Sequence, residues 1–120
     1  MDVVVHRVRL REDTDAGVFE EWVRETDYAS CRELPSVVSF SVQRFTGGAA
    51  EEPRAHYFEV IAVTSGPEFE RDTKTETFRR LADEFDVMAE VVGEWSGERI
   101  GPGYAADPAD ANEEPPRGNA

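Results

Sequence analysis

The sequence predicts an α+β domain with the element order β-α-β-β-α-β, and three observations carry that prediction. Four segments have strand-like apolar patterns: Asp2–Leu10, Ser36–Phe45, Ala55–Thr64 and Asp86–Trp95. Two other segments repeat apolar residues at helical spacing, one after the first strand and one after the third. Gly, Pro and polar clusters mark the joins between them.

In Asp2–Leu10, the side chains of Val4, His6, Val8 and Leu10 share one face, and Val3, Val5, Arg7 and Arg9 share the other. Arg11 to Thr14 reads as a polar turn. From Asp15 to Ala29, Val18, Phe19, Trp22 and Val23 form a helical stripe, with Asp13 and Asp15 near its positive end. Glu20 and Arg24 are an i,i+4 pair on the wet side. Tyr28 to Leu34 is less regular, and Pro35 ends it. Val38, Phe40 and Val42 are expected to share a face of the second strand. Gly47 to Arg54 is a loop. In the third strand Phe58, Val60 and Ala62 alternate with Tyr57, Glu59, Ile61 and Val63.

Ser65-Gly-Pro-Glu68 has the form of a capping box, and Thr73-Lys-Thr-Glu76 repeats it. The expectation is a short turn of helix, then a main helix to Phe85 along the stripe Phe78, Leu81, Ala82 and Phe85. The fourth strand runs to Trp95, and Ile100 is the last residue placed in a domain of residues 1–100. Residues 101–120 are rich in Gly, Pro and acids and read as a flexible polar tail. The order is that of a ferredoxin-like βαββαβ fold, with an antiparallel four-stranded sheet in the order 4-1-3-2. Helices cover one sheet face. The other is bare in a monomer, so two copies are expected to close into a dimeric α/β barrel.

Composition removes several classes of function. The net charge is −13; four acids and one Arg in the last twenty residues account for −3 of it, leaving −10 on the domain. No basic stripe offsets this charge, which excludes nucleic acid and disfavours an anionic membrane surface. Cys31 is the only cysteine, so no intrachain disulfide forms, as befits a reducing cytoplasm. No apolar run is long enough to span a membrane, and the N-terminus does not read as a signal peptide.

No motif for phosphate, dinucleotide, zinc or acyl-transfer chemistry is present. Two His and one Cys without close spacing do not make a metal site, so no metal is assigned. His6 lies mid-strand between Val4 and Val8, and an antiparallel third strand would bring Glu59 near it. A carboxylate beside a histidine orients the ring and raises its basicity. Two plainer readings stand beside this one: a core histidine satisfied by one hydrogen bond, and a Glu59 on a wet face or neutralised by Arg7 or Arg9. Asp27 and Tyr28 lie where the first helix gives way to a connector, a common place for a pocket mouth. Cys31 has no base in register to activate it. Trp95 either roofs a cavity or closes the core, and His56 at the start of the third strand is expected to be exposed.

The segment WVRETDYASCRELPSVVSF (Trp22 to Phe40), the opening VVVHRVRL and the stretch YFEVIAVTSGPEFERDTKTETFRRLADEF resemble the RedY-like/HapK family over residues 3–100. The resemblance implies a dimeric α/β-barrel protein of bacterial natural-product gene clusters, including those for prodiginine-type tripyrroles, with a cavity between sheet and helices. Related pathways use pyrrole or indole units. The wider barrel group holds cofactor-free monooxygenases, cyclases, isomerases and haem enzymes, so the fold does not choose a reaction.

The first expectation is therefore a biosynthetic enzyme without a cofactor, acting on a small aromatic pyrrole- or indole-type intermediate by acid/base-assisted cyclisation, coupling or proton transfer. His6 would be base or hydrogen-bond partner and Glu59 its orienting carboxylate. Asp27 and Tyr28 would position substrate, and Trp22 or Trp95 would stack on it. The partners expected are the intermediate, a second copy of the chain and another enzyme of the same pathway. Three alternatives differ in class: a cofactor-free monooxygenase, a haem enzyme using His6 or His56 as axial ligand, and a non-catalytic carrier of a reactive intermediate.

Overall fold

The computed structural model describes residues 1–47 and 54–106. Most of the Gly47–Arg54 loop and of the 101–120 tail lies outside the described residues. The strands are β1 (Asp2–Leu10), β2 (Val37–Arg44), β3 (Tyr57–Val63) and β4 (Ala89–Glu98). They form one antiparallel sheet in the order β2-β3-β1-β4, as the sequence predicts. The helices α1 (Ala16–Trp22), α2 (Tyr28–Ser30), α3 (Gly66–Asp72) and α4 (Glu76–Met88) fill the two crossovers. No helix among the described residues is long and apolar enough to cross a membrane.

Local chemistry sets the helix starts. The Asp15 carboxylate accepts from the Gly17 amide at 2.7 Å and begins α1. Ser65 Oγ accepts from the Glu68 amide at 3.2 Å and begins α3, with Pro67 in the first turn. The cap of α4 is Thr75, which accepts from the Phe78 amide at 3.2 Å. Thr73, expected in that role, instead donates to the Glu70 carbonyl at 2.6 Å. Buried Asp72 accepts from both the amide (2.8 Å) and the hydroxyl (2.5 Å) of Ser36, tying the end of α3 to the start of β2.

The first crossover departs from the expected continuous helix. After α1 the chain widens into a π-helical turn, Val23–Asp27, closed by the Tyr28 amide on the Val23 carbonyl. It returns to α2 and ends in a 3-10 turn, Cys31–Glu33. A π turn holds one extra residue, so the side chains after it rotate relative to an unbroken stripe. Val23 stays in the core, while Asp27 and Cys31 face a cavity beneath the helix.

Two strand boundaries are corrected. Residues 86–88 are helical, because Phe85 and Met88 both pack on the core and extend the stripe of α4 by a turn, with Val87 facing out at 75% exposed. The fourth strand therefore starts at Ala89 and runs to Glu98, beyond Trp95, and Ile100 lies outside the core. In β2 a register shift lies between Val37 and Ser39, so Phe40 and Val42 face the helices but Val38 is exposed.

The core occupies one end of the helix-covered face. Val8, Phe19, Val23, Tyr57 and Ala89 are buried there, with Leu10, Trp22, Val42, Phe85 and Met88 packed around them. Phe19 is central, its ring 4.9 Å from Tyr57 and 6.2 Å from both Trp22 and Phe85 between centroids. The other end of the same face, where β1 carries Val4 and His6, is hollow. The far face of the sheet presents Val3, Val5, Phe58, Val60 and Trp95, with no helix of the described residues against it.

Candidate functional site

The hollow between sheet and helices is a cavity of about 580 Å³. Its walls are mostly apolar and include Trp22, Phe40, Ile61, Phe69, Phe78 and Phe85. A volume of this size suits a small organic ligand. Trp22 is held by its indole N–H, which donates to Glu84 at 2.7 Å.

His6 and Glu59 lie on the floor. The two residues are direct partners in the β1–β3 register, so both side chains leave the same face. Glu59 Oε1 is 2.9 Å from His6 Nδ1. Glu59 is buried at 8% exposed, which excludes the wet-face reading. Arg7 and Arg9 do not neutralise it. Arg7 points to the far face, its guanidinium 6.0 Å from the Phe45 ring centre, and Arg9 pairs with Glu90.

Sequence reasoning missed Glu94. It stands opposite His6 on β4, and its Oε2 is 2.8 Å from His6 Nε2. The register shift between Arg7 and Val8 sets this pairing, and no local pattern in the sequence announces it. The imidazole thus bridges two carboxylates. The Glu59 hydrogen bond is the main force raising the His6 pKa above its ordinary value; burial opposes it, and the Glu94 hydrogen bond adds to it. Glu59 is fixed by the sheet, whereas the Glu94 side chain is 60% exposed. Movement of Glu94 would present Nε2 to a ligand while Nδ1 keeps its partner.

Asp27 enters from the π turn, among the cavity's lining residues. Burial, aided by the negative charge of Glu59, pushes its carboxyl up to about 7. Cys31 also lines the cavity, but burial and then Asp27 push its thiol up to about 11, so it is not an activated nucleophile.

Two expected positions are corrected. Tyr28 is not at this cavity; its hydroxyl accepts from the Val42 amide at 3.0 Å at the edge of β2. Consecutive helical residues point roughly 100° apart, so with Asp27 on the cavity Tyr28 is turned to the edge of β2. Trp95 pairs with Val5 and so lies on the far face, 58% exposed, neither roofing the cavity nor closing the core. His56 is exposed and accepts from the Leu10 amide at 3.0 Å through Nδ1.

The architecture is that of a ferredoxin-like α+β protein with an aromatic cavity over an acidic, histidine-bearing sheet. The chain belongs to the RedY-like HapK family, whose model, described as REDY-like protein HapK, matches residues 2–100. It is similar to the crystal structure of HapK from Hahella chejuensis, with 45% identity and a TM-score of 0.81 over 89% of this chain and 100% of that one. The fold is shared at 16% identity with SnoaB, a cofactor-independent oxygenase from Streptomyces nogalater (TM-score 0.63; 85% of this chain, 97% of that one). It is shared at 12% identity with a dimeric ferredoxin-like protein of unknown function from Thermobifida fusca (TM-score 0.58; 80% and 86%). No curated protein matches the chain.

Proposed function

We propose that this protein is an enzyme of natural-product biosynthesis that moves a proton on a small aromatic, pyrrole- or indole-type intermediate without a cofactor. The observation that carries this reading is the Glu59–His6 pair at the floor of the apolar cavity, 2.9 Å apart. Aromatic walls bind a flat ring and exclude water, which strengthens the electrostatics inside. As an imidazolium, His6 delivers its Nε2 proton to a substrate atom that gains electron density as a bond forms or breaks. The neutral ring then takes a proton back from the carbon or nitrogen that must lose one to restore aromaticity. Glu59 holds the ring through Nδ1 and favours its charged form. Cyclisation and coupling of electron-rich rings both reduce to such transfers. Conversion of the pathway intermediate by the purified protein under nitrogen tests this; an absolute need for oxygen would instead favour the monooxygenase reading.

We also place a second copy of the chain on the far sheet face, where Val3, Val5, Val60 and Trp95 form an apolar surface beside the strands. A native mass of twice the 13.4 kDa chain is expected, with Trp95→Glu shifting it towards the single-chain mass. A monomeric wild type at micromolar concentration rejects the pairing.

A further inference from the structure

The polar lining of the cavity is one-sided. Asp27, Glu59, Asp86, Glu90 and Glu94 are among its lining residues, His6 is its one basic group, and no Lys or Arg of the described residues lines it. Glu59 and Glu94 both engage His6, and Glu90 is held by Arg9 and Arg11. The carboxyl of Asp27 has no hydrogen bond or ion pair from any described residue. The Asp27 backbone carbonyl accepts from Cys31 Sγ at 3.5 Å.

An aromatic anion entering this space would lose hydration and meet like charge, and the one basic group there, His6, is already held by two carboxylates. A ligand with a positive nitrogen would do the opposite. It would supply the donor that Asp27 lacks, in a setting where charge-assisted hydrogen bonds are strong. The Phe and Trp walls take the rest of such a ligand by its ring.

We propose that the cavity selects its ligand by charge: it takes a flat aromatic bearing a cationic nitrogen, which Asp27 reads, and it rejects aromatic carboxylates. The selection rests on the functional reading above, since it concerns the same cavity, and it narrows the substrate class of that reading.

Calorimetry with the full-length protein at pH 8 tests it, using three probes on one ring: tryptamine, 3-ethylindole and indole-3-propionate. Tryptamine is expected to bind at least about tenfold more tightly than indole-3-propionate, a difference well within the reach of one buried charge contact. Asp27→Asn is expected to bring the affinities for tryptamine and 3-ethylindole within about twofold of each other while leaving 3-ethylindole binding in place. The ranking in the wild type requires no variant, so the test holds even should the substituted chain fail to fold. Equal affinity for cation and anion overturns the charge selection and leaves the His6 chemistry standing. An Asp27→Asn protein that keeps the full tryptamine preference removes Asp27 as the reader. Binding of none of the three overturns the selection and the cavity-based functional reading together.

Discussion

Turnover of the aromatic intermediate is expected to fall by about 10²- to 10⁴-fold when His6 is replaced by Gln, the range a positioned general acid or base contributes. Gln keeps a polar group on the strand but cannot shuttle a proton near neutral pH. The loss should lie in kcat, with KM little changed, because the aromatic walls that bind the ring are untouched. Glu59→Gln should act through His6, as befits a positioning residue. Its hydrogen bond is the largest contribution to the raised His6 pKa, so its removal should move the His6-dependent inflection of the pH–rate profile to lower pH. A carrier protein with a merely structural His6 would show neither effect: His6→Gln would leave product yield unchanged.

The second large effect is on stability, and its sign is unusual for a carboxylate. The Asp27 carboxyl is raised from 3.8 to about 7 in the folded chain. Between those values the folded state holds a proton that the unfolded state has released, so stability falls as pH rises through the window. The loss attributable to Asp27 is at most about 4 kcal/mol. The raised pKa of His6 acts in the same direction: its contribution is complete below 6.5 and is lost as pH climbs through the folded value. Asp27→Asn removes the first effect alone. Urea unfolding should therefore find the variant more stable than the wild type at pH 8 and close to it at pH 4. Equal stabilities at pH 8 would show that Asp27 bears no desolvated charge. Retaining such a cost in a small domain is consistent with a group kept for binding.

Much of the fold was readable because its signals are local. Val4, His6, Val8 and Leu10 alternate on one strand, and the β-α-β-β-α-β order restricts the sheet to few arrangements. The same alternation brought out His6 and Glu59, since antiparallel pairing of β1 with the middle of β3 sets them opposite each other. What stayed hidden depends on insertions in regular structure. The π turn at Val23–Asp27 resets the phase of the helical stripe, so that Asp27 meets the cavity and its neighbour Tyr28 the edge of β2. The register shift in β4 brings Glu94 to His6 and leaves Trp95 on the far face. A one-residue slip exchanges the faces of a strand, and nothing in the residues of β4 fixes that slip. The helical extension through Met88 was obscured because Asp86-Val87-Met88 fits either period, and only packing against the core decides it.

The most direct test of the central claim is conversion of a pyrrole- or indole-type pathway intermediate by the purified wild-type protein under nitrogen, with no added cofactor. Product formed at a rate that rises with enzyme concentration is the expected result, and it places acid/base chemistry in this chain. Intermediate that binds but returns unchanged, with or without oxygen, contradicts the claim and makes the protein a carrier.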